Sequence, residues 1–446
     1  MLNVDLSPYA GKRVCVALSG GADSVALFFL FADNAEKLHI SLSAVNVEHG
    51  IRGEESEEDT AFVKNLCERA GVPLFAYAAN IPALARRNGR GVEEEARAFR
   101  KEAFANLIKE GKADFVATAH HAGDNAESVL FNLFRGASLT GAGGIRAFVP
   151  VDGDRGIVRP LLSCTKEEIC AFLAGRGEAW REDRSNADIA YTRNYLRRKV
   201  LLPAKERFAD CEKNLYAFSR MAREDDDFLY SLTEKYVREG REYVIEPGAP
   251  PPVLRRCCVR AFRHFGIEKD YTLAHIGAVC RLFRQESGAE ADLPKGVKAV
   301  NDYGRVAVYK PEPPPAYVYP FGEGVFDCGR YILRIARETA PPSFGRTSKR
   351  LYFDGGGLQK NAVIRPRAEG DVFKKFGGGS KKLKEFFIDE KIPARDRDFY
   401  PLVAAGKEIF AVCGLEISDK VRVTERSGAV FSATLCERGE ERCIKT

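Results

Sequence analysis

The sequence lacks several patterns that would place it outside the class of soluble globular proteins. None of its 12 cysteines stands in a Cys-x-x-Cys pair, so neither a short-spaced metal site nor a disulfide framework is indicated. The longest apolar run, Val25 to Ala32, ends at Asp33 and is too short to span a bilayer. Met1 to Lys12 has no basic-then-apolar order typical of a signal peptide. We therefore expect reduced thiols and a soluble, cytoplasmic protein without a membrane partner.

Net charge is also small, and this limits how the chain can meet a polyanion. Its formal charge is +6 over 446 residues, so a nucleic acid would have to bind at local basic clusters. The length exceeds one ordinary domain and predicts two or three. With 45% hydrophobic residues, the chain has enough apolar material to build their cores.

The most informative stretch is a glycine turn, Ser19-Gly20-Gly21-Ala22-Asp23-Ser24, between an apolar run and a helix-length segment. Strand, glycine turn and helix together leave backbone N–H groups unpaired where the helix dipole is positive, which favours phosphate binding. Gly20 and Gly21 allow close approach of a ligand to the backbone. The turn is not a Walker A loop, because Gly-Lys-Ser/Thr is missing. The alternative is that Asp23 or Ser24 only caps a helix.

The first half of the chain alternates between strand-like and helix-like segments, which predicts an α/β fold with a parallel sheet. The predicted strands are Arg13 to Leu18, Ile40 to Val47, Pro73 to Ala78 and Asp114 to His120. In such sheets ligands bind beyond the carboxyl ends of the strands. Glu48 to Arg52 and the residues after His120 therefore belong to the same edge as the glycine turn.

Two carboxylates, Asp124 and Glu127, follow the fourth strand three residues apart, so they project from one face of a first helical turn. Acidic residues are stabilising in that position whatever the function. At this edge they could instead hold Mg²⁺, bind a cationic substrate or help to deprotonate an amine. Zinc is disfavoured because His120 and His121 are adjacent and no cysteine is near.

Basic residues cluster in segments that could face phosphates. Arg97 and Arg100 share a helix face. Six basic residues and one acidic residue lie between Arg193 and Arg207, with Tyr191 and Tyr195 interleaved. This composition suits an RNA backbone and unstacked bases, although a solvated helix face has the same appearance. Near the C-terminus, the segment from Arg365 to Arg397 holds ten basic and six acidic residues.

The predicted architecture is an N-terminal Rossmann-like domain with a parallel sheet, a mostly helical middle domain and a small strand-rich α+β C-terminal domain. The boundaries that we predict are 1–211, 212–340 and 341–446. A long helix from about Asp210 to Gly240 leaves the first domain, and proline-rich Lys310 to Pro320 forms a stiff connection. The Gly-rich segment Leu139 to Ile145 is predicted as a loop. After it, Ile157 to Leu162 is predicted to be extended, and the capping-box spacing from Thr165 to Glu168 predicts the start of a helix.

The glycine turn resembles the PP-loop of ATP pyrophosphatases, and nearly the whole chain resembles the tRNA(Ile)-lysidine synthetase family. The stretches that carry this resemblance are Ser19 to Ser24, Asn46 to Arg52, Glu94 to Arg100, Thr118 to Glu127, Arg159 to Leu162, Asp183 to Arg197 and Ile364 to Gly414. The most specific are Asp183, Asn186, Arg193-Asn194 and Arg197, together with the tail Lys382 to Asp389 and Lys391-Ile392-Pro393.

Membership of this family would imply a ligase that forms a C–N bond. ATP would activate the C2 oxygen of the wobble cytidine in a CAU-anticodon isoleucine tRNA, and the ε-amine of free lysine would then attack C2. The products would be lysidine, AMP and pyrophosphate. The cofactors would be ATP and Mg²⁺, and a homodimer is one assembly that the sequence leaves open.

The resemblance also implies roles for single residues. The amides of Ser19 to Ser24 and the Asp23 carboxylate, through Mg²⁺, would hold the ATP phosphates. Asp124 and Glu127 would bind the ammonium of lysine and ease its deprotonation. Arg100 and Arg193 would contact phosphate or the activated base.

Two other functions remain as alternatives. A PP-loop tRNA thiolase activates a base in the same way but commonly needs paired or catalytic cysteines. A non-catalytic RNA-binding factor with a degenerate nucleotide site would not need the intact loop from Ser19 to Ser24.

Overall fold

The computed structural model describes residues 2–48, 54–181, 192–268, 270–338, 350–375 and 377–438, with backbone alone for 54–57. The chain divides into two compact units, Met1–Ser231 and Leu232–Thr446. No helix in the described ranges is long and apolar enough to cross a membrane.

The first unit is built on a six-stranded sheet with the strand order β3-β2-β1-β4-β6-β5. Its strands are β1 Arg13–Ala17, β2 Ser41–Glu48, β3 Leu74–Ala78, β4 Phe115–Ala117, β5 Phe148–Asp152 and β6 Arg155–Val158. All neighbours are parallel except the edge strand β5, which pairs antiparallel with β6. The chain runs outward from β1 to β3 and then returns to β4 on the other side of β1. The point at which the strand order reverses therefore lies between β1 and β4, where open α/β sheets form their ligand crevice.

Helices cover both faces of this sheet. They are α1 Ala22–Ala35, α2 Glu54–Ala70, α3 Ile81–Asn88, α4 Val92–Lys109, α5 Ala122–Phe134, α6 Leu139–Ala142, α7 Lys166–Ala174, α8 Thr192–Tyr195, α9 Leu202–Arg207 and α10 Cys211–Ser231. A π-helical turn, Leu196–Leu201, joins α8 to α9. On one face Phe28 of α1 packs in a cluster with Ile169 and Leu173 of α7, and on the other Leu107 of α4 packs with Val116. Burial on both faces explains why the central strands β1 and β4 are almost continuously apolar.

The second unit begins with an antiparallel five-stranded sheet, ordered β7-β8-β11-β10-β9, and two helices. These elements are β7 Val237–Arg238, β8 Tyr243–Ile245, α11 Pro251–His264, α12 Leu273–Leu282, β9 Glu290–Asp292, β10 Lys298–Asp302 and β11 Arg305–Tyr309. The middle of the chain thus combines helices with a sheet.

Two further sheets and one helix complete this unit. The elements are β12 Tyr319–Pro320, β13 Gly324–Asp327, β14 Tyr331–Glu338, β15 Arg350–Asp354, β16 Val363–Arg365, β17 Val372–Lys374, β18 Ser380–Lys382, α13 Leu383–Asp389, β19 Leu402–Ala405, β20 Glu408–Val412, β21 Glu416–Ile417 and β22 Val430–Glu437. One sheet has the order β13-β14-β22-β15, and the other has β12-β16-β19-β20-β17-β18 with β21 on β20. Leu333, Phe353 and Phe410 lie in the apolar core that the two sheets share.

A buried ion-pair network ties the five-stranded sheet to the segment after α13. The Arg395 guanidinium lies 2.6 Å from a carboxylate oxygen of Glu242 and 2.6 Å from one of Asp302. Beside it, Nη1 of Arg330 lies 2.7 Å from Oδ1 of Asp396. These side chains are mostly buried, so the network fixes the relative positions of the segments that carry them.

The α/β fold with a parallel N-terminal sheet, helices in the middle and strand-rich C-terminal sheets is confirmed. Two local predictions were wrong. The stretch from Leu139 to Ile145 opens with the short helix α6, and the strand predicted to continue to Leu162 ends at Val158, because Pro160 begins a 3-10 turn. The three-domain division stays a prediction. Residues 49–53, 182–191 and 339–349, which include Asp183, Asn186, Tyr191 and the predicted boundary at Pro341, lie outside the described residues.

The expectation of reduced cysteines holds for ten described residues, which are free thiols and mostly buried. Cys436 is the exception, since it is disulfide-bonded.

Candidate active site

The glycine turn forms the start of α1 as the sequence predicts. Gly20 has φ +88°, and a Cβ there would lie 3.4 Å from Cδ1 of Phe62, so the position combines a left-handed backbone with a close neighbour. Gly21 is the N-cap of α1, and no side chain caps the helix. The alternative that Asp23 or Ser24 is merely the cap was therefore wrong. The first N–H groups of a helix have no partner within the helix, so the uncapped, positive end of α1 suits an anion.

Internal hydrogen bonds hold the turn in shape. The Ser24 hydroxyl donates to the carbonyl of Gly21 (2.9 Å) and accepts from the backbone N–H of Ser19 (3.2 Å). From the neighbouring strand β2, the buried Asn46 donates its side-chain N–H to the carbonyl of Leu18 (2.9 Å). Asn46 belongs to one of the stretches that resemble the synthetase family. Its hydrogen bond fixes the end of the segment that leads into the turn.

Asp23 is already engaged by a cation from a distant part of the chain. Nζ of Lys166, the first residue of α7, lies 2.5 Å from Oδ1 of Asp23. Lys166 follows β6, whose carboxyl end lies at the same sheet edge. The capping-box pattern at Thr165 predicts the helix start correctly, yet the contact with Asp23 was missed, because the two residues are 143 positions apart.

Asp124 lies in the first turn of α5 and Glu127 lies one turn further on the same face, so the prediction that both belong to the first turn was wrong for Glu127; one guanidinium bridges the two carboxylates. Nε of Arg197 lies 2.5 Å from Oε1 of Glu127, and its Nη2 lies 3.5 Å from Oδ1 of Asp124. Arg197 projects from the π-helical turn, a local geometry often found at functional sites. The Glu127 side chain is only 6% exposed. Burial raises the pKa of Glu127, and the hydrogen bond from Arg197 opposes that rise.

The electrostatics of Arg197 link this carboxylate pair to the glycine turn. Burial acts to lower the pKa of Arg197, but the hydrogen bond to Glu127 and the charges of Glu127, Asp124 and Asp23 together raise it. Asp23, Asp124 and Glu127 therefore act on a single guanidinium. The three carboxylates, predicted from separate motifs, thus share one neighbour, Arg197.

The two adjacent histidines have different environments. His121 caps α5. Its ring Nδ1 accepts a hydrogen bond from the backbone N–H of Gly123 (3.0 Å), and its backbone N–H donates to Oδ2 of Asp124 (3.1 Å). The His120 side chain is exposed, yet neighbouring protein groups still desolvate its ring in part. This desolvation lowers the pKa of His120 to about 4; the Asp124 charge opposes the shift, while Arg159 and Arg100 add to it. His120 is therefore neutral at physiological pH.

Arg100 lies near His120, on whose pKa its charge acts, whereas Arg193 belongs to the exposed surface of α8. Burial, followed by the charge of Arg97, lowers the pKa of Arg100. Burial alone lowers the pKa of Arg159, whose Nη1 donates to the carbonyl of Arg146 (2.6 Å). Arg193 is exposed on α8, four residues before Arg197. The sequence predictions singled out neither Arg159 nor His120 as site residues.

The side chains at this site could hold Mg²⁺ only together with oxygen atoms of the substrate. No group of three His, Cys, Asp or Glu side chains that could hold a metal occurs in the described part of the chain. Mg²⁺ commonly uses one or two carboxylates together with substrate phosphates and water. Asp23, at the N-terminal end of α1, is suited to be such a ligand.

The predicted RNA-facing segments differ in how much of their charge is available. Tyr195, Arg198 and Lys199 are exposed beside the site. In the basic segment from Arg365 to Arg397, here called the C-terminal module, Arg365 by contrast pairs with Asp371 and Lys375 pairs with Glu390. Part of the basic excess in that module therefore stabilises its own fold.

Comparison with known proteins identifies the family. A PP-loop domain model matches residues 2–204, and a model described as the TilS substrate C-terminal domain matches residues 362–432. A tRNA(Ile)-lysidine synthase from Geobacter sulfurreducens is 33% identical over 447 residues, covering 94% of this chain and 92% of the relative. The chain belongs to the tRNA(Ile)-lysidine synthase family.

Other tRNA(Ile)-lysidine synthases match over similar lengths. The relative from Caldanaerobacter subterraneus subsp. tengcongensis is 31% identical, covering 94% of this chain and 92% of the relative. The relative from Bacillus subtilis is 32% identical, covering 92% and 90%. The resemblance to this family is confirmed. The similarity to these synthases also includes the middle of the chain, roughly residues 240–340, where the sequence motifs carry the least resemblance.

Proposed function

We propose that this chain uses ATP to ligate free lysine to C2 of the wobble cytidine in a CAU-anticodon tRNA(Ile). The reaction passes through an adenylated cytidine and releases pyrophosphate and then AMP. The observation that carries the proposal is the single site formed by the glycine turn and the Arg197-bridged carboxylates, in a chain of this family.

The glycine turn serves the adenylation half of the reaction. Its N–H groups at the start of α1 bind the phosphates of ATP. Mg²⁺, held by Asp23, neutralises phosphate charge when it is bound. Arg100, beside the neutral His120, contacts phosphate or the activated base, and Arg193 on the exposed surface of α8 has the same role.

The carboxylate pair serves the lysine half. The ε-ammonium of lysine has an ordinary pKa of about 10.4, so it must lose a proton before it can attack C2. Asp124 and Glu127 bind it as a cation, and their negative charge is shared between the ammonium and Arg197. Because burial raises the pKa of Glu127, this carboxylate is a better proton acceptor than an exposed one.

The basic segments bind the tRNA. Tyr195, Arg198 and Lys199, exposed beside the site, face the anticodon loop, with stacking on the ring and charge against the backbone. The C-terminal module contacts another part of the same tRNA. A homodimer is the assembly that we propose to test by light scattering of the purified chain.

Labelled lysine tests the proposal directly. The full chain is incubated with ATP, Mg²⁺, labelled lysine and a tRNA(Ile) transcript that has a CAU anticodon. We expect ATP-dependent label in the tRNA, and none in a matched transcript with uridine at the wobble position. Failure to label the CAU transcript, with sulfur incorporation instead, would support the thiolase. Absence of AMP release altogether would support a non-catalytic RNA-binding factor.

A further inference from the structure

The glycine turn lacks the lysine of a Walker loop, yet a lysine ammonium from another element lies against it. Nζ of Lys166 is 2.5 Å from Oδ1 of Asp23, the second residue of α1. The side chains are 43% and 30% exposed, so both groups remain accessible to a ligand at the turn. An ion pair this exposed contributes little to folding stability, which leaves its position at the phosphate site to be explained.

The structure holds Lys166 in this position from both sides. Thr165 caps α7 together with Glu168, which fixes the first turn of the helix. Ile169 and Leu173 bury the apolar side of α7 in the same cluster as Val25 of α1.

A second constraint comes from the helix that carries the carboxylate pair. The carbonyl of Cys164 accepts from the N–H of Ala122, the first residue of α5. Lys166 is therefore anchored to the two helices, α1 and α5, that carry Asp23 on one side and Asp124 with Glu127 on the other.

The other charges in the first turn of α7 are directed elsewhere. Oε1 of Glu167 lies 2.8 Å from Nζ of Lys205, and Oε1 of Glu168 lies 2.6 Å from Nζ of Lys213. These partners neutralise the two glutamates. Of the charged residues in the first turn of α7, Lys166 is thus the one whose side chain contacts the glycine turn.

We propose that Lys166 is a catalytic residue that binds the phosphates of ATP, supplying from α7 the cation that a Walker loop carries in its own sequence. This inference rests on the proposed adenylation reaction. In the free enzyme Asp23 holds the ammonium at the turn. When the nucleotide binds, the Lys166 ammonium leaves Asp23 and contacts phosphate oxygens instead. The Asp23 carboxylate would then be available to Mg²⁺.

The chemistry needs a positive charge at this place. The cytidine C2 oxygen attacks the α-phosphorus, and the bond from that phosphorus to the oxygen bridging the α- and β-phosphates breaks. The electron pair of the broken bond stays on the pyrophosphate, where charge accumulates. An ammonium already in place stabilises that charge without transferring a proton.

Two measurements on the full chain separate a phosphate ligand from a structural ion pair. The first is calorimetric binding of α,β-methylene-ATP in the presence of Mg²⁺. The second is pyrophosphate release with ATP and tRNA but without lysine. The variants are Lys166→Ala, Lys166→Arg and, as a matched control, Lys37→Ala, which removes an exposed lysine just beyond α1.

We expect Lys166→Ala to weaken analogue binding on the order of tenfold or more and to slow pyrophosphate release on the order of a hundredfold. Its melting temperature should match that of Lys37→Ala, and Lys166→Arg should restore most of both losses. If Lys166→Ala fails to fold, Lys166→Arg and Lys166→Gln decide, because only the former keeps the charge. Wild-type binding and release in Lys166→Ala would overturn the proposal. Because analogue binding needs neither lysine nor transfer to tRNA, it tests Lys166 even if lysine ligation is refuted.

Discussion

Nε of Arg197 lies 2.5 Å from Oε1 of Glu127, a carboxylate with almost no exposed surface. This contact connects the π-helical turn after α8 to the second turn of α5, and it bridges 70 positions of sequence. Since Arg197 also lies 3.5 Å from Asp124, one guanidinium occupies both carboxylates assigned to the lysine ammonium. We therefore expect the binding of lysine to depend on the position of Arg197.

Arg197→Ala should raise the lysine concentration needed for half-maximal ligation by roughly ten- to a hundredfold, because Glu127 and Asp124 lose the charged hydrogen bond and the ion pair that orient them for the ammonium. Without Arg197, burial of Glu127 would no longer be opposed, so its pKa should rise further and less of the carboxylate would be ionised. The measurement is the rate of ligation against lysine concentration at saturating ATP. Arg198→Ala, which removes the exposed neighbour, is the control for the loss of an arginine. An unchanged lysine dependence in Arg197→Ala would refute the coupling.

Glu127→Gln should change how stability depends on pH. Burial raises the pKa of Glu127 above its value in the unfolded chain. Between those two values the folded state binds more protons, so this residue makes the free energy of unfolding fall as pH rises. Glutamine removes that contribution, and the variant should therefore gain stability relative to wild type as pH increases. Urea unfolding over a pH series measures this; a difference that shows no trend with pH would contradict the assignment.

Asp23→Ala should reduce pyrophosphate release by more than about a hundredfold, because the carboxylate proposed to hold Mg²⁺ at the phosphates is lost. Asp33→Ala is the matched control, since Asp33 lies on the same helix but pairs with Arg176 outside the site. Both variants should fold like the wild type. Near-normal release in Asp23→Ala would refute its role.

Cys280 should be the most reactive thiol among the described free cysteines. Its Sγ lies 3.9 Å from that of Cys258. The hydrogen bond from Cys258 lowers the pKa of Cys280 to about 7, against the effect of burial and with help from nearby arginines. Alkylation by iodoacetamide, followed by peptide mass spectrometry, should reach half its maximal rate near pH 7. Cys258→Ala should move that midpoint to higher pH. Cys15, whose pKa is raised by burial to about 12, should react far more slowly.

Arg395→Met should destabilise the second unit by about 3–5 kcal/mol, because it leaves the carboxylates of Glu242 and Asp302 buried without their shared cation. Arg438→Met removes an exposed pair with Asp327 and should cost at most about 1 kcal/mol. Chemical denaturation of the two variants measures the difference. Equal stability in both would show that the buried network does not hold the unit together.

Local sequence was sufficient for the features that local chemistry creates. The turn from Ser19 to Ser24, the strand before it, the helix after it and the start of α5 follow from glycine, apolar runs and short-range spacing. The contacts of Lys166 and Arg197 could not be predicted in the same way, because their carboxylate partners lie 143 and 70 positions away. The strands β7, β8 and β9, which are two or three residues long, are too short to show a period-two pattern.

The most direct test of the central claim follows both halves of the reaction in a single turnover. The chain is mixed with CAU-anticodon tRNA(Ile) and ATP labelled at the α-phosphate, and labelled lysine is added afterwards. If cytidine is adenylated first, as we propose, α-phosphate label should appear on the tRNA before lysine is added. It should then be released as AMP at the rate at which lysine becomes attached. Lysine attachment without prior label on the tRNA, or label that lysine does not release, would contradict it.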